Sequence, residues 1–155
     1  SITVNDSGNG EAGLYVNSSN QGIVWGDMKS FVMDDPRTKD GRIVYACIEG
    51  PEAAAYTRGT ATLVNGEAEI LFPEHFQIVA NPSTLTILTS PWNEISKGMA
   101  IVERTDKGFK VRELFGGKGN YQFDWEAKAV RKGYEDYKVE RHKSEFEAPR
   151  HAELD

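Results

Sequence analysis

At 155 residues, 39% of them hydrophobic and 27% charged, the chain suits one domain with a small extension and is long enough to bury a core without covalent staples. Its formal net charge of −6 lacks the basic footprint of a nucleic-acid binder, and an acidic surface also disfavours anionic lipid as a primary partner. No apolar stretch is long enough to cross a membrane, and the lone Cys47 cannot form an intramolecular disulfide.

Residues 1–30 are rich in Gly, Asn and Ser and read as short strands and turns. Two near-copies of one unit stand out: Gly13-Leu14-Tyr15-Val16 and Gly22-Ile23-Val24-Trp25, joined by the polar spacer Asn17-Ser18-Ser19-Asn20-Gln21. Strands that short gain stability by stacking on copies of themselves or on other chains, which points to the end of a fibre. The plainer alternative is a hairpin with a polar loop. The cluster at 34–41, Asp34-Asp35-Pro36 onward, is a turn and is expected to divide a stalk (1–33) from a globular part (34–141).

Within that part, 42–48 is a continuous apolar run, expected to be a strand buried on both faces. Residues 56–64 and 67–72 are expected to flank a hairpin at Asn65-Gly66, since both central positions of a type I′ turn need φ > 0. Pro73-Glu74-His75-Phe76 reads as a short helical turn. Strands follow at 85–89, 99–104 and 108–114. In the last of these Phe109 and Val111 share one face, with Lys110 and Arg112 on the other. After the tight loop Gly116-Gly117-Lys118-Gly119-Asn120, nine residues alternate cleanly, putting Tyr121, Phe123, Trp125, Ala127 and Ala129 on the core face. The charged end, 142–155, is expected to be a tail or a short helix. Short strands with regular turn signals give an all-β fold: an antiparallel β-sandwich-like head on a short, repeat-built β stalk.

Three blocks carry a resemblance. They are Asp27-Met28-Lys29-Ser30-Phe31 leading into Asp34-Asp35-Pro36; Cys47-Ile48-Glu49-Gly50-Pro51-Glu52 through Leu71-Phe72-Pro73-Glu74-His75-Phe76; and Phe109-Lys110-Val111 through Gly116-Gly117-Lys118-Gly119 to Arg131-Lys132. In order and spacing they resemble the C-terminal tip domains of trimeric fibre proteins, namely phage tail fibres and the mosaic trimeric adhesins of predatory bacteria, over about seven tenths of the chain. The resemblance implies a homotrimer that is extracellular, at a cell surface or on a virion fibre. It also implies recognition of a cell-surface ligand, often a glycan, without catalysis, with no nucleic acid bound and no membrane insertion. It transfers no ligand-binding residue.

The residues themselves offer one binding candidate. In Ser90-Pro91-Trp92-Asn93-Glu94, Trp92 supplies an apolar platform while Asn93 and Glu94 supply polar edges, a combination that suits a sugar ring. The alternative is that Trp92 folds back as a core plug or packs at a trimer seam. Catalytic and metal motifs are absent. Cys47 lies in an apolar run, where a free thiol behaves as a small hydrophobe. His75, His142 and His151 are dispersed. Glu49 and Glu52 flank a turn, and Asp124 and Glu126 share a polar strand face. No cofactor is expected. Two other readings remain open: a structural cap that fixes trimer register, and a glycan-active hydrolase, which would need a carboxylate pair facing one cleft.

Overall fold

The computed structural model describes residues 2–6, 10–16, 22–26 and 29–142; the 17–21 spacer and, apart from His142, the tail expected at 142–155 lie outside them. The chain divides into two compact units: residues 50–139, and the segments on either side. Among the described residues the elements are overwhelmingly strands and every strand pairing is antiparallel, so the fold is all-β.

In the N-terminal segment β1 (Ile2–Asp6), β2 (Gly10–Val16) and β3 (Gly22–Gly26) form a meander in that order. The two repeat copies are β2 and β3, and they pair with each other, Leu14 opposite Val24 and Val16 opposite Gly22. Gly13 lies opposite Trp25, whose indole occupies the space a β-carbon at position 13 would need. A hairpin of β4 (Ser30–Asp34) and β5 (Arg42–Ala46) follows, closed by the turn in which Asp35 grips Arg37 at 2.8 Å. The expectation of a strand buried on both faces at 42–48 is not met: Val44, Tyr45, Cys47 and Ile48 are exposed. An apolar run is buried on both faces only inside a layered sheet, and among the described residues β4 is the one strand that pairs with β5.

Residues 50–139 form a sandwich of two three-stranded sheets. One has the order β6 (Ala54–Thr62), β11 (Gln122–Val130), β8 (Thr86–Pro91). The other has the order β7 (Glu67–Leu71), β10 (Gly108–Glu113), β9 (Met99–Arg104). The short helix α1 (Glu74–Val79) follows β7, where a helical turn was expected. The Asn65-Gly66 turn is present, with φ of 53° and 80° as its chemistry demands. Its arms do not form the expected extended hairpin, however. They share only the bridge from Val64 to Glu67, after which β6 enters one sheet and β7 the other. Tertiary pairing decides this: the Leu63 amide already donates to the Tyr121 carbonyl, and Leu63 is fully buried between the layers. The turn is therefore a corner of the sandwich.

The core follows from alternation. Tyr121, Phe123, Trp125, Ala127 and Ala129 are all buried, as the nine-residue pattern requires, and Phe109 and Val111 face them from β10. Aromatic rings cross the layers, Phe109 meeting Trp125 edge-on at 5.5 Å between centroids and Phe72 lying 6.1 Å from Trp125. Trp125 fits because its partner across the ladder is Gly59; a β-carbon there would come within 2.9 Å of the indole.

Candidate functional site

Strand β11 buries its odd-numbered side chains and so presents Gln122, Asp124, Glu126 and Lys128 outward. Antiparallel register lines these up with the outward residues of β6 and β8. Thr60, Asp124 and Ser90 form one row, Arg58, Glu126 and Leu88 the next, and Tyr56, Lys128 and Thr86 a third. The first two rows line an open concavity of about 740 Å³, within the range of small-ligand sites, which is about 300–1,000 Å³.

Trp92 stands at the edge of this face. It continues the β8 ladder by donating its amide to the Gln122 carbonyl, and its indole Nε1–H donates to Asp124 Oδ2 at 2.8 Å. Asp124 Oδ1 accepts from the Thr60 hydroxyl at 2.6 Å. These two bonds, that from Thr60 foremost and helped by the charge of Arg58, hold the Asp124 carboxyl below the usual carboxylate range against a smaller opposing effect of burial. The carboxylate is thus an acceptor over a wide pH range. Arg58 makes no hydrogen bond or ion pair among the described residues and acts on Asp124 only through its charge. Its five donors are free to meet a ligand.

Of the residues singled out in the sequence, Trp92 is 59% exposed, so it is not a core plug. Asn93 shapes its own loop: its Oδ1 accepts from the Ile95 amide and its carbonyl from the Ser96 amide. Glu94 is exposed. The groups that join Trp92 are therefore Asp124, Thr60 and Arg58, from strands 30 or more positions away in sequence, and only the register of β11 brings them together.

Asp124 and Glu126 do line one concavity, as a glycan hydrolase would require. A hydrolase also needs one of its two carboxyls to donate a proton. Of the two, Asp124 has its carboxyl held below the usual range, which does not suit it to that role, and Glu126 lies 2.8 Å from the Lys128 ammonium. On the outer face of the opposite sheet both cations are already engaged, Lys110 reaching Glu103 at 2.9 Å and Glu69 at 4.0 Å, and Arg112 reaching Glu67 at 2.8 Å. Among the described residues no group of three His, Cys, Asp or Glu is placed to hold a metal ion, and no helix is long and apolar enough to cross a membrane. Cys47 is exposed just beyond β5, and His75 is exposed on α1.

A second polar cluster was not anticipated. Glu113 is 95% buried, because it continues the core-facing parity of Phe109 and Val111. Its carboxylate accepts from the Gly119 amide (2.7 Å), the Tyr121 hydroxyl (2.9 Å) and the Lys97 amide (3.2 Å), and Ser96 in turn meets Tyr121 at 2.6 Å. The Gly119 and Tyr121 bonds hold the Glu113 carboxyl below its ordinary range, while burial, the largest influence on Tyr121, pushes that phenol up. The cluster ties loop 93–98 to loop 114–120. The parity of 109, 111 and 113, carried one step further, is the sequence signal that locates it.

Compared with known proteins, the chain matches no protein-family model, no curated protein and no solved structure.

Proposed function

We propose that this chain is the non-catalytic, receptor-binding tip of a homotrimeric fibre or adhesin, acting outside the cell, and that the outer face of the β6-β11-β8 sheet recognises a cell-surface glycan. The observation that carries the reading is the Trp92–Asp124–Thr60 arrangement beside an unengaged Arg58. A sugar ring presents an apolar face to stack on an indole and a rim of hydroxyls that both donate and accept. Asp124 accepts hydrogen bonds, Arg58 donates them, and the bond to Asp124 fixes the indole in place before the ligand arrives, lowering the ordering cost of binding. Assembly is supported by the N-terminal strands, where Leu14, Val16 and Val24 lie exposed. Three copies would convert weak individual contacts into avidity.

The test is a pair of measurements on Trp92→Ala. Light scattering is expected to give a mass of three chains for both proteins, and glycan-array binding is expected to be lost in the variant. A monomeric parent chain would sink the fibre-tip reading. Retained glycan binding in the variant would remove this face as the site, and a parent trimer that binds no glycan would favour a structural cap.

A further inference from the structure

The outward face of the β6-β11-β8 sheet extends beyond the Trp92–Asp124–Thr60 arrangement. Its rows follow the register of β11, so positions along it are set by backbone spacing. Trp92 stands level with Gln122, whose carbonyl accepts its amide. Tyr56 stands level with Lys128, six residues further along β11 and on the opposite flank of that strand. Strand geometry therefore separates the two positions by about 20 Å along β11 and by two strand spacings, about 10 Å, across it. Tyr56 is 66% exposed, and its hydroxyl makes no hydrogen bond among the described residues. At a level between the two aromatic residues stands Leu88, 70% exposed, in the row of Arg58 and Glu126. The ionised groups on this face balance: Asp124 and Glu126 against Arg58 and Lys128, the other outward residues of the three strands being uncharged. Lys128 is held by Glu126 at 2.8 Å, and Arg58 lies across the ladder from Glu126 while acting on Asp124 through its charge.

We propose that this face takes a neutral, linear glycan laid lengthwise along β11, with Tyr56 as a second aromatic platform at the far end from Trp92, an assignment that rests on the glycan reading above. Length follows from the spread of the apolar surfaces. Trp92, Leu88 and Tyr56 lie too far apart for one pyranose ring, whereas a chain of sugars offers an apolar ring face at intervals, with hydroxyl rims between them for Asp124, Thr60 and Arg58. Charge follows from the balance on the face. A uronic or sialic acid would gain Arg58 but meet Asp124 and Glu126 beside it, so the carboxylates offset what the guanidinium offers. The same centre disfavours a protein partner. Protein interfaces deplete charge at their core, and here Arg58, Asp124 and Glu126 occupy it while the apolar groups stand apart.

The experiment uses the 155-residue chain and two printed series, each running from monosaccharide to hexasaccharide: neutral oligosaccharides of glucose, galactose, mannose and N-acetylglucosamine, and uronic-acid oligosaccharides. Calorimetric titration with the soluble forms then keeps avidity from masking the effect of length. Affinity is expected to rise with length until the glycan spans the face and then to level off, the neutral series being preferred. Tyr56→Ala is expected to weaken hexasaccharide binding by about three- to tenfold while shorter chains that bind the parent keep its affinity. Tyr56→Phe, which retains the ring, is expected to bind as the parent does, and Trp92→Ala to lose binding at every length. Both side chains are exposed, so unchanged circular dichroism and melting would show that the variants fold. A monosaccharide bound as tightly as the hexasaccharide overturns the proposal and leaves glycan binding at Trp92 in place. So does a Tyr56→Ala variant equal to the parent at every length, or a preference for the acidic series. Binding to neither series removes the glycan reading itself, and this proposal with it.

Discussion

The fit of Trp125 over Gly59 gives a sharp test of how the sandwich is packed. In an ordinary strand interior, Gly→Ala is favourable by about 0.5–1 kcal/mol, because glycine gives up more freedom on folding. At position 59 the added carbon would lie 2.9 Å from Cζ2 of Trp125 and 3.1 Å from Cε2 and Nε1. The ring cannot swing clear, since Phe109 meets it at 5.5 Å and Phe72 at 6.1 Å between centroids. Overpacking of this kind costs about 1–3 kcal/mol. Gly59→Ala is therefore expected to lose roughly 1–2 kcal/mol net, a fall in Tm of about 4–16 °C for a unit of this size. In a Trp125→Leu background the obstruction is gone, and the same change should stabilise by about 0.5–1 kcal/mol. The assay is urea unfolding of all four proteins of the cycle, which isolates the pairwise coupling. A neutral Gly59→Ala, or an equal loss in both backgrounds, would refute the steric account.

Three further outcomes are expected. Phe123 is fully buried, so Phe123→Ala should cost about 3–5 kcal/mol and lower Tm by more than about 12 °C, as read by calorimetry. Gly66 has φ 80°, and a β-carbon there would strike the Gly117 carbonyl oxygen, so Gly66→Ala should cost about 1–3 kcal/mol in urea while Asn65→Gly stays near neutral. Glu113 has its carboxyl held below the ordinary range in the folded state, so its stabilisation is present above the unfolded pKa of about 4.3 and is lost as pH falls through the folded value. Glu113→Gln should therefore lower Tm at neutral pH, with the gap to the parent narrowing as melts are run from about pH 5 to about pH 2; a gap that widened on acidification would contradict the assignment.

What sequence could reveal here was local. The alternation from Tyr121 to Ala129 and the Asn65-Gly66 dipeptide carry their structure in neighbouring residues, and both are found where the pattern puts them. The division of β6 and β7 between two sheets is invisible locally, because a hairpin and a sandwich corner use the same turn residues; the deciding bond, Leu63 to Tyr121, comes from 58 positions away. The apolar run at 42–48 misled because period alone does not reveal how many layers will cover a strand. At the candidate site the sequence singles out Trp92 by its residue type. It could not find Asp124, Thr60 and Arg58 as its neighbours, since that requires the register of β11 against two strands at once. Asn93 looked like a ligand group for the same reason that it makes a good turn: a short amide side chain bonds nearby backbone.

The position of β10 and β11 at the centres of their sheets also sets the order in which the head can form. Both are the last strands of their sheets to leave the ribosome, and each sits between two strands made earlier that do not pair with one another. Until Gln122 and the residues after it emerge, β6 and β8 have no partner, and Ala54 must wait for Val130. Such long-range closure makes folding slow, in the millisecond-to-second range typical of non-local β folds, and leaves four unpaired strands exposed while synthesis finishes. A nascent head therefore passes through an interval in which its neighbours on the same polysome are competing templates. The charged residues on the outward faces of β6, β7 and β9 (Arg58, Glu67, Glu69, Glu103) guard against mispairing during that interval.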